Sequence, residues 1–154
     1  MNILCRPIQA LVVLLAATAG VAADEGRRQA IPGPVPARVI EVIDGDTLVV
    51  SARIWIGQEV ETLVRLAGVD APEIRGGCRR ERELARQARA LIAARLSSGG
   101  VVLRDIHYGK YAGRVVARVE TEDGEDCAGL LLAAGLGRPY AGGRRADWCG
   151  GDGN

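Results

Sequence analysis

The stretch of sequence that decides the fold is residues 38–70, RVIEVIDGDTLVVSARIWIGQEVETLVRLAGVD. It is rich in valine and isoleucine, and turn-forming residues interrupt it at Asp44-Gly45 and Gly57-Gln58. This pattern predicts three consecutive strands joined by tight turns. We place the three strands at residues 38–43, 47–56 and 59–69.

The rest of the chain adds one helix, two further strands and a short second helix. We place these elements at residues 79–96, 101–107, 114–120 and 126–134. Apolar residues recur at helical spacing in the first of these segments, and Asp126 can cap the last one. The order predicts a mainly β, α+β fold: a five-stranded OB-fold barrel with one helix between strands three and four and a short C-terminal helix.

The N-terminal segment differs in composition from this central part. Residues 8–23 form a charge-free apolar run that follows Arg6 and ends in small residues. Such a run is typical of a signal peptide cleaved after Ala23, and an uncleaved N-terminal anchor is the alternative. We therefore expect an exported protein, periplasmic or secreted, with no membrane association after cleavage. The predicted parts are a signal peptide (1–23), a proline-rich linker (24–36), the barrel domain (37–149) and a flexible tail (150–154).

The net charge excludes a strongly basic nucleic-acid-binding domain. The full chain carries a formal net charge of +1, and Arg6 would leave with the signal peptide. A neutral domain lacks the charge excess of a non-specific DNA-binding protein. Attraction for a polyanion must therefore come from local charges or from a bound metal.

Three cysteines would remain after cleavage, and an oxidising compartment favours a disulfide between two of them. We predict the pair Cys78–Cys149 because both residues lie in glycine-rich, irregular stretches. Cys127 is interpreted as a small buried residue. The odd number leaves one thiol free or paired between chains. Trp148 is expected to pack on the disulfide, and Trp55 is expected in the core.

Two acidic residues, Asp46 and Asp70, flank the second hairpin. Opposed residue numbers in an antiparallel pair add to a constant, about 115–116 for a tight turn at Gly57-Gln58. Asp46 and Asp70 satisfy this relation and should face each other on one rim. Two adjacent carboxylates need a cation or a proton between them, and oxygen ligands select a hard ion such as Ca²⁺ or Mg²⁺.

Two arginines and one glutamate are expected near the same rim. Arg65 lies inside an apolar strand and needs an anionic partner, either a phosphate or a protein carboxylate such as Glu73. Arg114 opens a predicted strand, and its alternative is an exposed edge residue. Glu73 could accept a proton from a water molecule or orient that water, or it could be a solvent-facing acid in a loop. The combination predicts a site that cuts phosphate esters.

In these motifs the chain resembles the thermonuclease, or staphylococcal nuclease-like, family. The helix segment with Cys78 and the ending Gly142-Gly143-Arg144…Trp148-Cys149 resemble those of its exported bacterial members. The resemblance covers residues 38–140 and rests on three segments: Asp44-Gly45-Asp46-Thr47, Arg65 with Asp70-Ala71-Pro72-Glu73, and Tyr111 with Gly113-Arg114. It implies a Ca²⁺-dependent phosphodiesterase with an OB-fold that cleaves DNA and RNA to 3′-phosphate-ended products. We expect a monomer with no stable protein partner.

The resemblance also suggests roles for single residues. The catalytic residues would be Arg65, Glu73 and Arg114. The Ca²⁺ ligands would be Asp46, Asp70 and the backbone carbonyl of Ala71, which stands where threonine is often found. Residues supporting these ligands would be Asp44 and Thr47. Contacts to substrate are predicted for Lys110, Tyr111 and Tyr140, where the tyrosines would stack on bases or, alternatively, pack against the barrel.

The chain departs from the family pattern before Arg114. It has Tyr111-Ala112-Gly113-Arg114 where many members have Tyr-Gly-Arg, so the extra residue shifts Arg114 or is absorbed by a bulge. Two other functions stay open. One is a non-catalytic OB-fold module that binds single-stranded nucleic acid or protein, and the other is an exported interaction protein that uses its arginine-rich helix.

Overall fold

The computed structural model describes residues 30–110 and 113–150 of the 154 residues. The predicted signal peptide, residues 24–29 of the predicted linker, residues 151–154 and Tyr111 lie outside the described residues. Within the described part of the chain, no helix is both long and apolar enough to cross a membrane.

Five strands form a closed barrel, and two helices pack outside it. In chain order the elements are β1 (Val35–Asp44), β2 (Thr47–Trp55), β3 (Gln58–Leu66), β4 (Val69–Asp70), α1 (Arg79–Arg95), β5 (Gly100–Tyr108), β6 (Arg114–Thr121), α2 (Cys127–Ala133) and β7 (Arg138–Pro139). The barrel order is β1-β2-β3-β6-β5, with β3 and β6 parallel and the other pairs antiparallel. The predicted α+β fold with a five-stranded OB-like barrel is confirmed.

The core fills the barrel and continues under α1. Alternate residues of β2 and β3, such as Leu48, Val50 and Val64, are fully buried, as expected for strands with one face on the core. The β1–β2 turn packs directly on α1, because a Cβ added at Gly45 would lie only 2.6 Å from the Cβ of Ala88. This close approach requires glycine at position 45 and fixes the turn against the helix.

The register of the β2–β3 hairpin differs from the prediction. Thr47 pairs with Arg65, so Asp46 lies beside Leu66 and not opposite Asp70. The turn lies one residue earlier than expected, with Gly57 at a φ of 73°, and an irregularity between Arg53 and Trp55 shifts the pairing further. β3 then ends at Leu66, and Asp70 belongs to the separate strand β4, which pairs with β7.

Two further predictions are wrong at the ends of these strands. β1 begins at Val35, and Val35 and Pro36 pair with β5, so they belong to the barrel and not to the predicted linker. Trp55 is 70% exposed and not in the core, because the end of the β2–β3 hairpin extends beyond the barrel. Its neighbour Ile56 is exposed there as well.

A disulfide joins Cys78 to Cys149, with a Cα–Cα distance of 5.9 Å, which confirms the predicted pairing. It links the N-cap of α1 to the C-terminal segment. Cys127 is free and fully buried, also as predicted. Burial, assisted by the neighbouring acids Asp126 and Glu125, raises the pKa of the Cys127 thiol to about 12.

The native protein should therefore resist thiol reagents at pH 8, because the reactive thiolate is scarce and shielded. In protein lacking residues 1–23, denaturant without reductant should release one reactive thiol, and a Cys127→Ser variant should release none. Ellman's reagent measures both. A second thiol in the denatured wild type would contradict the Cys78–Cys149 bond.

Candidate functional site

Two buried carboxylates, Asp46 and Asp70, meet at one end of the barrel, where they are 2% and 3% exposed. Both accept from Arg65: its Nη1 lies 2.8 Å from Asp46 Oδ2, and its Nη2 lies 3.1 Å from Asp70 Oδ1. The structure thus brings the two aspartates to the same rim, although by a register other than the predicted one. Arg65 therefore pairs with protein carboxylates, which the sequence analysis gave as the alternative to a phosphate. Its partners are Asp46 and Asp70 and not Glu73.

Backbone and side-chain donors fix the aspartates further. Thr47 donates its hydroxyl to Asp46 Oδ1 at 2.9 Å, and the backbone N–H of Ala71 donates to Asp46 Oδ2 at 3.0 Å. Asp44 accepts from the backbone N–H of Ile74 at 3.1 Å. Thr47 thereby orients a carboxylate, whereas Asp44 holds the loop that carries Glu73.

Trp148 completes the surroundings of Asp70. Its indole Nε1 donates to Asp70 Oδ2 at 3.2 Å, and the ring is buried. The guanidinium of Arg138 stacks on this ring at 3.9 Å from the ring centre. The sequence placed Trp148 beside the disulfide but did not reveal its contact with a site carboxylate.

Sequence reasoning missed one residue of the site, Arg145. Its Nε and Nη1 form ion pairs with Asp70 and Glu73. Its Nη2 lies 3.8 Å from Asp46 Oδ2 and 3.4 Å from the carbonyl oxygen of Ala71. Arg145 is 75 residues from Asp70 in the chain, and only its position near the predicted disulfide partner Cys149 could have suggested that it returns to this rim.

The environment of Arg145 favours its charged form. Burial acts to lower the pKa of Arg145, but hydrogen bonds to Asp70 and Glu73 outweigh burial, so the pKa is raised above its ordinary value. The side chain remains 37% exposed. Arg145 is therefore a permanent positive charge that contacts the acids and also reaches solvent.

Arg114 opens β6 next to β3, where it pairs with Leu63. The alternate residues Val64 and Ala117 are buried in the barrel, so Arg65 and Arg114 lie together on the outer face of adjacent strands. The pairing places their Cα atoms roughly 8 Å apart, estimated from strand spacing and rise per residue. The two arginines therefore lie on the same face of β3 and β6.

The predicted substrate-contacting residues differ in their placement. Tyr140 lies at the site: the guanidinium of Arg65 is 5.7 Å from its ring centre, and its hydroxyl donates to the carbonyl of Gly143 at 2.9 Å. Lys110 is exposed in the loop between β5 and β6. Tyr111 lies outside the described residues.

A family model described as staphylococcal nuclease homologue matches residues 63–147, more than half of the chain. The chain belongs to this family. The matched range contains Arg65, Asp70, Glu73 and Arg114, and it also contains Arg145. No curated protein matches the chain.

The donor atoms of this staphylococcal nuclease homologue fit a hard cation. Asp46, Asp70 and the Ala71 carbonyl offer only oxygen, and all three contact one positive group, the Arg145 guanidinium. In residues 30–110 and 113–150, three potential metal-ligating side chains of His, Cys, Asp or Glu lie together at Cys78, Glu81 and Cys149. The two sulfurs form the disulfide, so this cluster offers no thiolate.

Arg65→Ala should destabilise the metal-free protein by about 3–5 kcal/mol, because it removes the guanidinium group that both buried carboxylates share. The matched control is Arg79→Ala, whose ion pair with Glu83 lies on the exposed surface of α1 and is expected to contribute little to stability. Urea denaturation in EDTA measures both changes. Equal losses of unfolding free energy in the two variants would contradict the stabilisation of the buried carboxylates by Arg65.

Proposed function

We propose that this protein is a Ca²⁺-dependent phosphodiesterase that hydrolyses DNA and RNA to 3′-phosphate-ended products. The observation that carries this proposal is the convergence of Asp46, Asp70, Glu73 and Arg65 at one rim of the barrel. Membership of the staphylococcal nuclease family supports a nuclease-like activity. The all-oxygen donor set supports the choice of a hard cation.

Asp46, Asp70 and the Ala71 carbonyl would hold the ion. When bound, Ca²⁺ supplies positive charge for a phosphate oxygen and a place for a water molecule. Thr47 and Trp148 keep the two carboxylates in a fixed orientation. The chain therefore presents these ligands already positioned, which lowers the ordering cost of binding.

Glu73 would accept the proton of the attacking water or orient that water. It follows the buried residue Pro72 but is itself exposed to solvent, unlike the two aspartates. A proton acceptor needs this access. Glu73 can act only when its carboxylate is released from the ion pair with Arg145.

Arg65 and Arg114 would bind the phosphate. Each terminal nitrogen of Arg65 carries two hydrogens. Nη1 donates one to Asp46, whereas Nη2 donates to Asp70 and, at 3.5 Å, to the Val69 carbonyl. The second hydrogen of Nη1 can donate to a phosphate oxygen, so Arg65 would both position the acids and bind the substrate. Arg114 would add donors that strengthen as negative charge develops on the phosphate. Tyr140, beside Arg65, and Lys110 and Tyr111 would contact the nucleotides flanking this phosphate.

We further propose export and action as a monomer without a stable protein partner. The Cys78–Cys149 bond supports an oxidising location, since disulfides persist outside the cytosol. Periplasmic and secreted locations are both compatible with this bond.

Purified protein should hydrolyse DNA and RNA with Ca²⁺ and lose the activity in EDTA, because without the ion the negatively charged acids repel the phosphate. Glu73→Gln should lower the turnover about 10²–10⁴-fold, the range for a general base. Glu83→Gln, on the exposed surface of α1, is the matched control and should stay active. Release of acid-soluble nucleotides measures the rates, and phosphatase treatment identifies the 3′-phosphate ends. Full hydrolysis in EDTA would contradict the proposed Ca²⁺ dependence.

Arg114→Ala should lower kcat/KM about 10³-fold or more, by analogy with arginines in phosphoryl transfer. Arg114→Lys should not restore the rate, because lysine lacks the planar fork of donors. Arg118→Ala is the control, since Arg118 is exposed on the same strand and pairs with Asp105 and Glu120. Near-normal turnover in folded Arg114→Ala would remove this residue from the mechanism.

One observation favours the rival function of a non-catalytic binding module: Glu73 is already engaged by Arg145. Such a module would bind single-stranded nucleic acid or protein through the barrel surface. It predicts binding that survives EDTA and the Glu73→Gln substitution, without release of nucleotides. The same hydrolysis assay, combined with a filter-binding assay, separates the two functions.

A further inference from the structure

One guanidinium group, that of Arg145, contacts every oxygen group proposed above as a cation ligand. It pairs with Asp70, lies 3.8 Å from Asp46 and 3.4 Å from the Ala71 carbonyl, and also pairs with Glu73. A divalent ion held by the same oxygens would compete with Arg145 for their lone pairs. Asp70 Oδ1, for example, already accepts from both Arg65 and Arg145.

The segment that carries Arg145 is fixed at both ends. We call residues 140–149 the strap. At its start, the backbone N–H of Tyr140 donates to the Gly68 carbonyl at 3.0 Å. At its end, Trp148 is buried and Cys149 is bonded to Cys78. Between these anchors Arg145 is partly exposed, so its side chain can leave the acids while the strap stays attached.

The charges at the rim explain why a second cation is needed there. Asp46, Asp70 and Glu73 bring three negative charges, and Arg65 supplies one positive charge. Buried carboxylates repel each other unless they are neutralised. Arg145 supplies the additional charge from within the chain.

We propose that Arg145 is a tethered counter-cation of the metal site: it neutralises the acids in the metal-free protein, and Ca²⁺ must displace it to bind. This proposal rests on the proposed function. The displacement also frees the Glu73 carboxylate, so metal binding and release of the proton acceptor are one event. The contact with Arg145 raises the Ca²⁺ concentration at which the site fills.

The test is metal affinity, with Tb³⁺ as a luminescent probe for the Ca²⁺ site. Trp148 can sensitise the emission, because its Nε1 lies 3.2 Å from Asp70 Oδ2. Arg145→Gln should bind Tb³⁺ about 10–100-fold more tightly than wild type, the range for removing hydrogen bonds between charged groups. Calorimetric titration with Ca²⁺ should show the same ranking.

Arg144→Gln is the matched control. Arg144 is the exposed neighbour on the strap, so its loss changes the net charge equally without touching the proposed competitor. The Tb³⁺ affinity of the Arg144→Gln variant should remain close to that of wild type. Arg145→Lys should gain less affinity than Arg145→Gln, because lysine keeps the charge.

Thermal unfolding provides a second readout that does not depend on luminescence. Metal-free Arg145→Gln should melt below wild type, and saturating Ca²⁺ should remove this difference, since Arg145 no longer contacts the acids in the metal-bound form. Equal or weaker Tb³⁺ binding by Arg145→Gln overturns the competition alone, because wild type would still bind metal. Absence of metal binding in all variants overturns both this proposal and the Ca²⁺-dependent function.

Discussion

The rim of the barrel depends on the neutralisation of two buried carboxylates. Asp46 and Asp70 are almost completely removed from solvent, and each is held by Arg65. Buried acids without partners would oppose folding by several kcal/mol. The β1–β2 turn, the end of β3 and strand β4 must therefore meet in one arrangement, and this arrangement places the two carboxylates on either side of the Arg65 guanidinium.

The C-terminal strap adds what the barrel alone lacks. β7 pairs with β4, and the disulfide fastens the strap to α1, so Trp148 and Arg145 are brought onto Asp70. The β1–β2 turn, β3 and β4 supply the two aspartates and Arg65, whereas the strap supplies a second positive charge and a cover for one carboxylate. The acids of the rim are consequently held in ion pairs with Arg65 and Arg145.

The barrel, the long helix and the disulfide could be predicted from the sequence, because hydrophobic periodicity, turn residues and cysteine positions are local signals. The hairpin register could not, since a shift of the turn by one residue and an irregularity in β2 change every pair. Trp55 was wrongly predicted to lie in the core, because a strand pattern does not show where a hairpin extends beyond its barrel. Arg145 lacked a local signal: it is one of several arginines in a glycine-rich segment, and its role arises only from tertiary contact.

The contact between Gly45 and Ala88 limits which substitutions this molecule can accept. The turn that precedes Asp46 touches the helix where neither partner has more than one methyl group. A bulkier residue on that helical face would push the turn outward and tilt the first carboxylate of the rim, although the helix itself carries no chemistry. The inner stripe of α1 is thus as constrained in size as the site that it supports.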